Sequence, residues 1–514
     1  MSRLELNGIP HLEEIGSIDR LFDAEKVEKD YKSLAERQAS DNKIVPSLEE
    51  AIRLSGLKDG MTISFHHHFR NGDYIVNMVL DKLAKMGFHD LTLAASSLTT
   101  VHEPLIRHIK NGVIRRIETS GLRGPLAEEV SRGLMEVPVV FRSHGGRAYA
   151  IESGKLKIDV AFLGAPFCDP YGNANGYSPD SGEGISCGSM GYAEPDARYA
   201  DKVVILTDHI VPYPNMPFAI PESDVDYVVK VDQIGDPEGI MSGATRFTKN
   251  PKELLIAEMA ANVIEASGRF EDGFSMQMGS GGASLATARF LREKMLNKKI
   301  TAGFALGGIT GSVVDLYSEG LVKKILDVQS FDLKAAQSLK DNRFHQQISA
   351  SYYASPGNEG TAVNQLDVVV LSALEIDVNF NVNVLTGSDG VIRGAVGGHQ
   401  DTAFGASVSI IVAPLIRGRI PCVVEKVNTV VTPGKTVDVL VTDQGVAVNP
   451  IRRDLIERLR KAGLPLCTIE ELKDRAERLA GKPDPIPYLD KAVGIVTYRD
   501  GSVIDVIRQV RDGE

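Results

Sequence analysis

The segment Asp159-Val-Ala-Phe-Leu-Gly-Ala-Pro-Phe-Cys-Asp169-Pro-Tyr-Gly-Asn-Ala-Asn175 is followed later in this chain by a similar segment. The later copy reads Asp367-Val-Val-Val-Leu-Ser-Ala-Leu-Glu-Ile-Asp377-Val-Asn-Phe-Asn-Val-Asn383, and each matched position lies 208 residues downstream of its counterpart. A second pair of segments, residues 112–117 and 320–325, has the same offset. Two matches in one register indicate that the chain contains two copies of one unit.

Each copy begins with an unbroken apolar run and continues into a loop rich in Asp and Asn. Such a run is typical of a strand that is buried on both faces of a parallel sheet. Elsewhere apolar strands alternate with amphipathic helices, as in residues 61–65 followed by residues 74–86. The pattern predicts an α/β protein with two open parallel-sheet domains related by internal duplication. We expect an N-terminal arm over residues 1–45, a first domain over 46–240 and a second over 241–514.

The composition limits the possible function classes. The 514 residues are 43% hydrophobic and 24% charged, which is ordinary for a globular chain. A net charge of −11 argues against nucleic acid as the main partner. No apolar run reaches the length of a membrane helix, and the first residues lack the apolar core of a signal peptide. The four cysteines have neither disulfide nor zinc spacing, so we expect a reducing compartment, the cytoplasm.

The repeated loops follow the carboxyl ends of strands, which is where open α/β sheets bind ligands. Two such units facing each other would form a cleft between the domains. Asn381 and Asn383 in the second loop are therefore ligand candidates. The alternative stays open that these asparagines, together with Asp169 and Asp377, only shape turns through bonds to nearby backbone.

Two glycine clusters offer backbone N–H groups to a ligand. Gly279-Ser280-Gly281-Gly282 lies between a predicted strand and a predicted helix, where successive N–H groups can bind an anion. It lacks the lysine of a phosphate-binding loop, and it could also be only a tight turn. The second cluster, Gly397-Gly398, is followed by His399 and Asp401, which add a titratable ring and a carboxylate.

Side chains that follow two other predicted strands are candidates for binding carboxylates. The adjacent His66 and His67 are not expected to share a metal ion, because neighbouring side chains do not converge in regular structure. No metal site is predicted, and anion binding is the preferred role. Arg123, in the loop of residues 119–125, could hold a carboxylate through its planar guanidinium or lie on the surface.

Longer strings carry a resemblance to a known family. Residues 119–129, 143–147, 172–177, 383–390 and 417–421 resemble the acyl-CoA transferase superfamily and, within it, the alpha-subunit family of citrate lyase. The resemblance covers nearly all of the chain after residue 45. It implies two tandem CoA-transferase-like domains, which have the open parallel sheet of the ribose-5-phosphate-isomerase-like fold.

The resemblance also implies a reaction. In this family the alpha subunit replaces the acetyl group on an acyl carrier (gamma) subunit with citrate, which releases acetate and forms a citryl thioester. A citryl lyase (beta) subunit then cleaves that thioester. The chain is expected to bind no cofactor itself and to act on the phosphoribosyl-dephospho-CoA arm of the carrier or on CoA thioesters. An oligomer with neither nucleic acid nor a membrane as partner is implied.

The implied chemistry assigns roles to the candidate residues. Backbone N–H groups would contact the thioester and its oxyanion, and these come from Gly279, Ser280, Gly281, Gly282, Gly397 and Gly398. Asn381 and Asn383 would hold the thioester or the pantetheine amide, while His399 and Asp401 would orient polar groups. The side chains expected to bind the carboxylates of citrate are Arg123, His66, His67 and Arg393.

A departure from related transferases bears on the mechanism. Many of them use a covalent Glu just before a Val-Val-Asp-Leu string, but residues 305–312 before that string contain no Glu here. The expected mechanism is therefore a mixed anhydride in a ternary complex, with Glu375 as an alternative covalent residue. Three other functions stay open: an acetate CoA-transferase or thioester hydrolase that uses free CoA, a non-catalytic scaffold, and a phosphosugar-binding isomerase.

Overall fold

The structure is a computed structural model, and it describes residue 36 and residues 42–177, 186–241, 248–279 and 281–511. The chain divides into two units, Met1–Asn42 and Lys43–Glu514. Only residues 36 and 42 of the smaller unit are described, so its predicted role as an arm lies outside the described residues.

Strands and helices alternate along the larger unit, as the sequence pattern predicts. The strands are β1 (Ile44–Val45), β2 (Thr62–Phe65), β3 (Leu91–Ala95), β4 (Ile114–Thr119), β5 (Val139–Phe141), β6 (Val160–Gly164), β7 (Phe167–Cys168), β8 (Ala174–Asn175), β9 (Lys202–Thr207), β10 (His209–Ile210), β11 (Tyr227–Lys230), β12 (Ser275–Met278), β13 (Phe304–Ile309), β14 (Ile325–Ser330), β15 (His345–Gln347), β16 (Val368–Ser372), β17 (Glu375–Asp377), β18 (Val382–Asn383), β19 (Val408–Val412), β20 (Ile416–Arg417), β21 (Ile420–Pro421), β22 (Val423–Val424), β23 (Val439–Thr442), β24 (Gly445–Val448), β25 (Leu466–Cys467), β26 (Tyr488–Thr497) and β27 (Val503–Val510). The α-helices are α1 (Leu48–Leu54), α2 (Ile75–Met86), α3 (Leu105–Lys110), α4 (Pro125–Ser131), α5 (His144–Glu152), α6 (Glu194–Tyr199), α7 (Pro251–Ala266), α8 (Gly282–Lys298), α9 (Gly311–Ser318), α10 (Leu333–Asp341), α11 (Ala350–Ala354), α12 (His399–Gly405), α13 (Arg453–Lys461) and α14 (Ile469–Ala480).

Local sequence signals explain where individual helices begin and end. Ser47 caps α1, because its side chain accepts a hydrogen bond from the backbone N–H of Glu50 at 3.2 Å. Thr468 and Glu471 form a capping box at the start of α14. Helix α2 ends at Gly87, whose φ of 85° is the left-handed conformation that glycine adopts at helix ends without strain.

Two large sheets share one strand order, which confirms the predicted duplication. The first sheet contains the order β5-β4-β3-β2-β6-β9-β11, and the second contains β15-β14-β13-β12-β16-β19-β23. All of these neighbours pair in parallel. The central strands are buried on both faces, as β6 shows with all five residues buried. The larger unit therefore consists of two halves, one built on each large sheet, and the two sheets have the same topology.

The C-terminal hairpin departs from the predicted division at residue 240. Strands β26 and β27 lie in the first sheet, where β26 pairs in parallel with β5. Asp500-Gly501 between two apolar runs predicts a hairpin, and the two strands are indeed antiparallel. Pairing with β26 covers the backbone groups at the edge of β5 and buries Val493 and Val496. At the other edge β1, assigned to the arm from sequence, pairs with β11.

None of the helices in the described part of the chain combines the length and the apolar character of a transmembrane segment.

Candidate functional site

A cavity of about 590 Å³ lies where carboxyl ends of strands from both sheets meet. Residues that end or follow β2, β3 and β4 of the first sheet form one wall, and residues that end or follow β12, β14 and β16 of the second form the other. This is the location that the sequence predicts for a ligand. Its volume is within the usual range for small-molecule sites.

The wall of this cavity contains four arginines. Among the described residues it contains no aspartate and no glutamate. The arginines are Arg70, Arg123, Arg393 and Arg417. Guanidinium groups gathered in a partly closed space attract ligands that carry several negative charges. The cavity therefore suits an anion with more than one carboxylate or phosphate.

Arg70 and Arg123 are the deepest of these cations. The Nη1 of Arg70 donates to the carbonyl of Ile240 at 3.1 Å, and its guanidinium lies 4.2 Å from the ring centre of Phe331. Burial, and to a smaller degree the nearby Arg123, lower the pKa of Arg70 to about 10. Burial also lowers the pKa of Arg123, which has no hydrogen-bond or ion-pair partner among the described residues. Arg70 keeps its charge at neutral pH.

Arg393 and Arg417 stand at more open positions. Arg393 forms an ion pair with Asp389, so its charge is partly neutralised by the protein itself. Arg417 donates through Nη2 to the carbonyl of Ala373 at 3.2 Å. The predicted position of Arg393 at the ligand site agrees with the structure, but Arg123 is the better placed of the two.

The glycine loop before α12 presents free backbone donors to the cavity. The N–H groups of Gly397 and Gly398 have no acceptor among the described residues, and both glycines line the wall. Gly397 has a φ of 55°, which favours glycine. A Cβ on Gly398 would lie 2.5 Å from the hydroxyl oxygen of Tyr353, so the backbone can pack there only without a side chain.

The other predicted glycine cluster also reaches the cavity in part. Gly279 and Gly281 line it, and Gly281 is the N-cap residue of α8. Gly282 does not line the cavity, because its Cα faces Glu253 and Thr248. Ser280 lies outside the described residues. Two of the four predicted positions thus line the cavity. The predicted N–H contact of Gly279 is not supported, because this N–H donates to the carbonyl of Val370 at 2.8 Å.

The two histidines predicted to bind carboxylates occupy different places. His67 lines the cavity, whereas the ring of His66 is buried outside it, with Nε2 at 2.9 Å from the carbonyl oxygen of Gly164. Burial lowers the pKa of His66 to about 3 and that of His67 well below its ordinary value. Both rings are therefore neutral at physiological pH, and the structure does not support the predicted role as cations.

His399 and Asp401 both lie in α12, and each forms hydrogen bonds with other residues of the protein. His399 lines the cavity, and its ring nitrogens lie 2.7 Å from Thr432 Oγ1 and 3.2 Å from the carbonyl oxygen of Ser372. Burial lowers its pKa to about 4. Asp401 is fully buried away from the cavity and accepts hydrogen bonds from Ser143 and the N–H of Gly145. Asp401 therefore joins the half with the first sheet to the half with the second, and it is not among the residues that line the cavity.

The asparagines of the second repeat also lie outside the cavity wall. The side-chain oxygen of Asn383 accepts from the N–H groups of Leu385 and Thr386, and its Nδ2 donates to Glu375 at 2.9 Å and to the carbonyl of Thr386 at 2.8 Å. Asn381 donates to Asp377 and accepts from Gly434. The predicted contact with a thioester is not supported, because these amides already bond within the loop.

The carboxylates of the repeated loops have the same local role. Asp377 accepts from the N–H groups of Asn379 and Asn381, and Asp169 of the first repeat accepts from those of Tyr171, Gly172 and Asn173. The turn-shaping alternative left open by the sequence is thus the one that the structure supports.

We expect Asn383→Ala to destabilise the protein without weakening substrate binding. The change removes the five hydrogen bonds of a fully buried side chain, which corresponds to a loss of about 2 to 4 kcal/mol. Thermal melting and the KM for each substrate, measured on the same preparation below the melting range, check this. A raised thioester KM at unchanged melting temperature would show that Asn383 contacts the thioester directly. Asn364→Ala, at an exposed position, is the control.

Several wall residues were missed by the sequence reasoning. Arg70 lies between the His66-His67-His68 run and Asn71-Gly72. Its φ of 54° is unusual for a residue other than glycine and marks this turn as a candidate functional site. Gln277 and Gln329 are polar residues within buried strands, and such residues were a usable signal. Gln277 donates to Tyr353 Oη at 3.0 Å, and Gln329 donates to the carbonyl of His67 at 3.1 Å.

The duplicated sheets with a ligand cavity between them define a CoA-transferase-like α/β protein. The alpha subunit of malonate decarboxylase from Acinetobacter baumannii has this fold, with a TM-score of 0.63 at 16% identity over 87% of this chain and 94% of that one.

Closer relatives identify the family. Residues 41–510 match the model of the citrate lyase alpha subunit family. The citrate lyase alpha chain of Klebsiella pneumoniae is 62% identical over 480 residues, which cover 93% of this chain and 94% of that one. A crystal structure from Streptococcus mutans, assigned as the alpha subunit of citrate lyase and solved in complex with citrate, has a TM-score of 0.89 and 57% identity over 98% of this chain and 99% of that one. The chain belongs to the citrate lyase alpha subunit family.

Proposed function

We propose that this chain exchanges the acyl group of a thioester, so that an acetyl thioester and citrate yield a citryl thioester and acetate. The observation that carries the proposal is the cavity wall with four arginines and no carboxylate among the described residues, beside the free N–H groups of Gly397 and Gly398. Citrate has three carboxylates, so such a wall suits it. The similar chain from Streptococcus mutans, solved in complex with citrate, supports this choice of substrate.

Two successive acyl transfers account for the products. A carboxylate oxygen of citrate attacks the acetyl carbonyl, the C–S bond breaks, and a mixed acetyl–citryl anhydride and a thiolate form. The thiolate then attacks the citryl carbonyl of the anhydride, and acetate leaves with the bridging oxygen. Both nucleophiles are already anions, so neither step needs a general base. The protein has to align the reactants and stabilise two oxyanions, a task suited to the N–H groups of Gly397 and Gly398.

Different residues of the cavity wall would bind citrate and the thioester. Arg70 and Arg123 would hold the two carboxylates of citrate that do not react, because both guanidinium groups line the cavity and lie near enough for the charge of Arg123 to lower the pKa of Arg70. Gly281, the N-cap residue of α8, would contact the thioester side. The N–H of Gly279 already donates to the carbonyl of Val370 at 2.8 Å. The acyl donor in this proposal is the prosthetic arm of a carrier subunit or a CoA thioester. A separate lyase subunit would consume the citryl thioester.

A direct ternary reaction is favoured over a covalent glutamyl intermediate. Within the described residues, no Glu lines the cavity. Glu375, the alternative nucleophile, accepts hydrogen bonds from Asn383 Nδ2 at 2.9 Å and from the N–H and Nδ2 of Asn428 at 3.1 Å each. Burial raises its pKa, which disfavours the anion that an attack on a thioester requires.

A single-turnover experiment with labelled citrate tests the proposal. The purified chain, in excess over acetyl-CoA or the acetylated carrier, is mixed with citrate carrying ¹⁸O in its carboxylates. We expect acetate to form only when citrate is present, with one ¹⁸O atom in each acetate and one citryl thioester for each acetate. The reason is that the bridging oxygen of the anhydride comes from citrate.

Each competing function gives a different outcome in this experiment. Unlabelled acetate in the first turnover would indicate that Glu375 or another carboxylate supplied the oxygen. Acetate formed without citrate, with its oxygen from water, would indicate a thioester hydrolase. No acetate from either donor, with confirmed acetylation, would indicate a scaffold.

A further inference from the structure

His144 is a cavity residue that neither the sequence pattern nor the proposed reaction uses. It is the first residue of α5, and the backbone before it is fixed by Ser143, whose side chain accepts from the N–H of Gly146 at 2.9 Å. The imidazole ring lies 4.2 Å from the ring of Tyr192, centre to centre. A Cβ on Gly397 would lie 3.7 Å from the Nε2 atom of His144, so the ring stands beside the glycine loop.

Three hydrogen bonds fix the segment of His144 to the other half of the molecule. The N–H of His144 donates to the carbonyl of Gly397 at 2.9 Å. The N–H of Gly145 donates to Asp401 Oδ2, and Ser143 Oγ donates to Asp401 Oδ1, each at 3.0 Å. The segment from the first half and the glycine loop from the second are therefore held at one fixed separation, and Asp401 acts as a positioning residue.

The two ring nitrogens of His144 have different surroundings. Nδ1 is buried and has no hydrogen-bond partner among the described residues, whereas Nε2 is less buried and the residue lines the cavity. A proton on Nδ1 would bury an N–H group without an acceptor, which costs about 1 to 3 kcal/mol. The neutral tautomer with its proton on Nε2 avoids that cost and directs the N–H at the ligand space.

The groups around the ring keep it neutral. Burial, with a smaller contribution from the positive charge of Arg147, lowers the pKa of His144 to about 3. The two rings beside it carry no negative charge at neutral pH, because burial keeps His67 neutral and raises the pKa of Tyr192 well above its ordinary value. The carboxyl group of Asp401 is already engaged by Ser143, the N–H of Gly145 and Arg499. A neutral imidazole donates a hydrogen bond but is not an acid near pH 7.

We propose that the Nε2–H of His144 completes an oxyanion site with the N–H groups of Gly397 and Gly398. This role rests on the proposed acyl exchange and deepens it. When a carboxylate or thiolate attacks, negative charge moves to the carbonyl oxygen, and the three donors stabilise it without giving up a proton. Because the donors come from both halves, the site exists only when the halves are joined, which explains why Asp401 holds them together.

The activity test compares substitutions that keep or remove a donor at the Nε2 position. His144→Gln places an amide N–H near that position, His144→Asn places one near Nδ1, and His144→Leu has none. We expect kcat to fall about 100-fold in His144→Leu and His144→Asn, and less than tenfold in His144→Gln, with the citrate KM nearly unchanged in all three. His209→Gln, at an exposed ring outside the cavity wall, is the matched control.

The pH profile distinguishes a donor from a base. We expect kcat of the wild type to show no step attributable to His144 between pH 5.5 and 8, so that wild type and His144→Gln have parallel profiles. Equal loss in His144→Gln and His144→Leu, or an acid limb near pH 6.5 that disappears in His144→Gln, would overturn the proposal. Wild-type kcat in His144→Leu would overturn it as well.

A spectroscopic test does not depend on activity and therefore separates failure of this inference from failure of the proposed function. Nitrogen NMR of the full chain labelled with [¹⁵N]histidine, with the His144 signals assigned by their loss in His144→Gln, reports the protonation of each ring nitrogen. We expect a neutral ring with the proton on Nε2 from pH 5.5 to 8. A proton on Nδ1, or titration near pH 6.5, would exclude the proposed donor even if citrate-dependent exchange is observed.

Discussion

Arg123→Gln is expected to lower kcat/KM for citrate about 100-fold, mainly through a higher KM. Arg123 faces the cavity and has no hydrogen-bond or ion-pair partner among the described residues, so its guanidinium is available to a carboxylate of the ligand. Losing one charge-assisted pair in a partly closed site corresponds to about 3 kcal/mol, or about two powers of ten in affinity. Since the carboxylate that it holds does not react, the contact is equal in the ground and transition states and affects KM more than kcat.

Steady-state kinetics with citrate and the acetyl thioester varied separately measure this effect. The KM for the thioester should change much less than that for citrate. Arg123→Lys keeps the charge but loses the planar fork, so an intermediate value is expected. Arg115→Gln is the matched control, because Arg115 pairs with Asp90 at an exposed position of the same half. An unchanged citrate KM in Arg123→Gln would show that citrate is held by other groups.

Arg123 is preferred to Arg70 for this test because its replacement disturbs less of the fold. Arg70 supports the carbonyl of Ile240 and packs on Phe331, so a variant there would combine loss of binding with loss of structure.

Arg147→Met is expected to destabilise the protein by about 3 to 5 kcal/mol. Arg147 and Asp196 form a bidentate pair, with nitrogen–oxygen distances of 2.6 and 2.7 Å, and both side chains are at most 5% exposed. The substitution leaves the carboxylate of Asp196 buried without its cation, and such a loss typically has this magnitude. The pair joins α5 to α6, and Nη2 of Arg147 also donates to the carbonyl of Ala94.

Urea and thermal unfolding, followed by circular dichroism, check the second prediction. Arg147→Met combined with Asp196→Leu should recover much of the stability, because the double variant no longer contains an unpaired buried charge. Arg198→Met is the control, since Arg198 pairs with Glu194 at an exposed position and should contribute little. A loss below about 1 kcal/mol in Arg147→Met would show that the carboxyl group of Asp196 is neutral or reached by solvent.

Much of the architecture was predictable because it repeats. A buried parallel strand is marked by its uninterrupted apolar run, and the 208-residue offset between residues 159 and 367 already implied two sheets of one topology. The amphipathic helix predicted over residues 74–86 was placed within one residue of α2 for the same kind of local reason. The hairpin β26–β27 was predicted as a hairpin, but its place in the first sheet was not, because strand pairing over more than 300 residues leaves no local signal.

The candidate site was predictable in its backbone but less so in its side chains. Glycine loops after strands pointed to Gly279, Gly281, Gly397 and Gly398, all of which line the cavity. The polar residues of the repeat, Asn383 among them, looked equally functional but are engaged within their own loop. Residue type and spacing cannot distinguish the two cases. An asparagine that bonds to nearby backbone and an asparagine that bonds to a ligand look the same in the sequence.

The amino-acid sequence by itself determined the α/β class, the duplication, the family and the strand ends at which a ligand would bind. Those properties depend on periodicity and on long strings that are local in the chain. Only the tertiary structure decided which charges meet. Arg70 and Arg123 come together, the His66 and His67 rings become neutral by burial, and His144 of one half is fixed beside Gly397 of the other. The physical reason is that desolvation and the approach of side chains distant in sequence depend on packing between the two sheets.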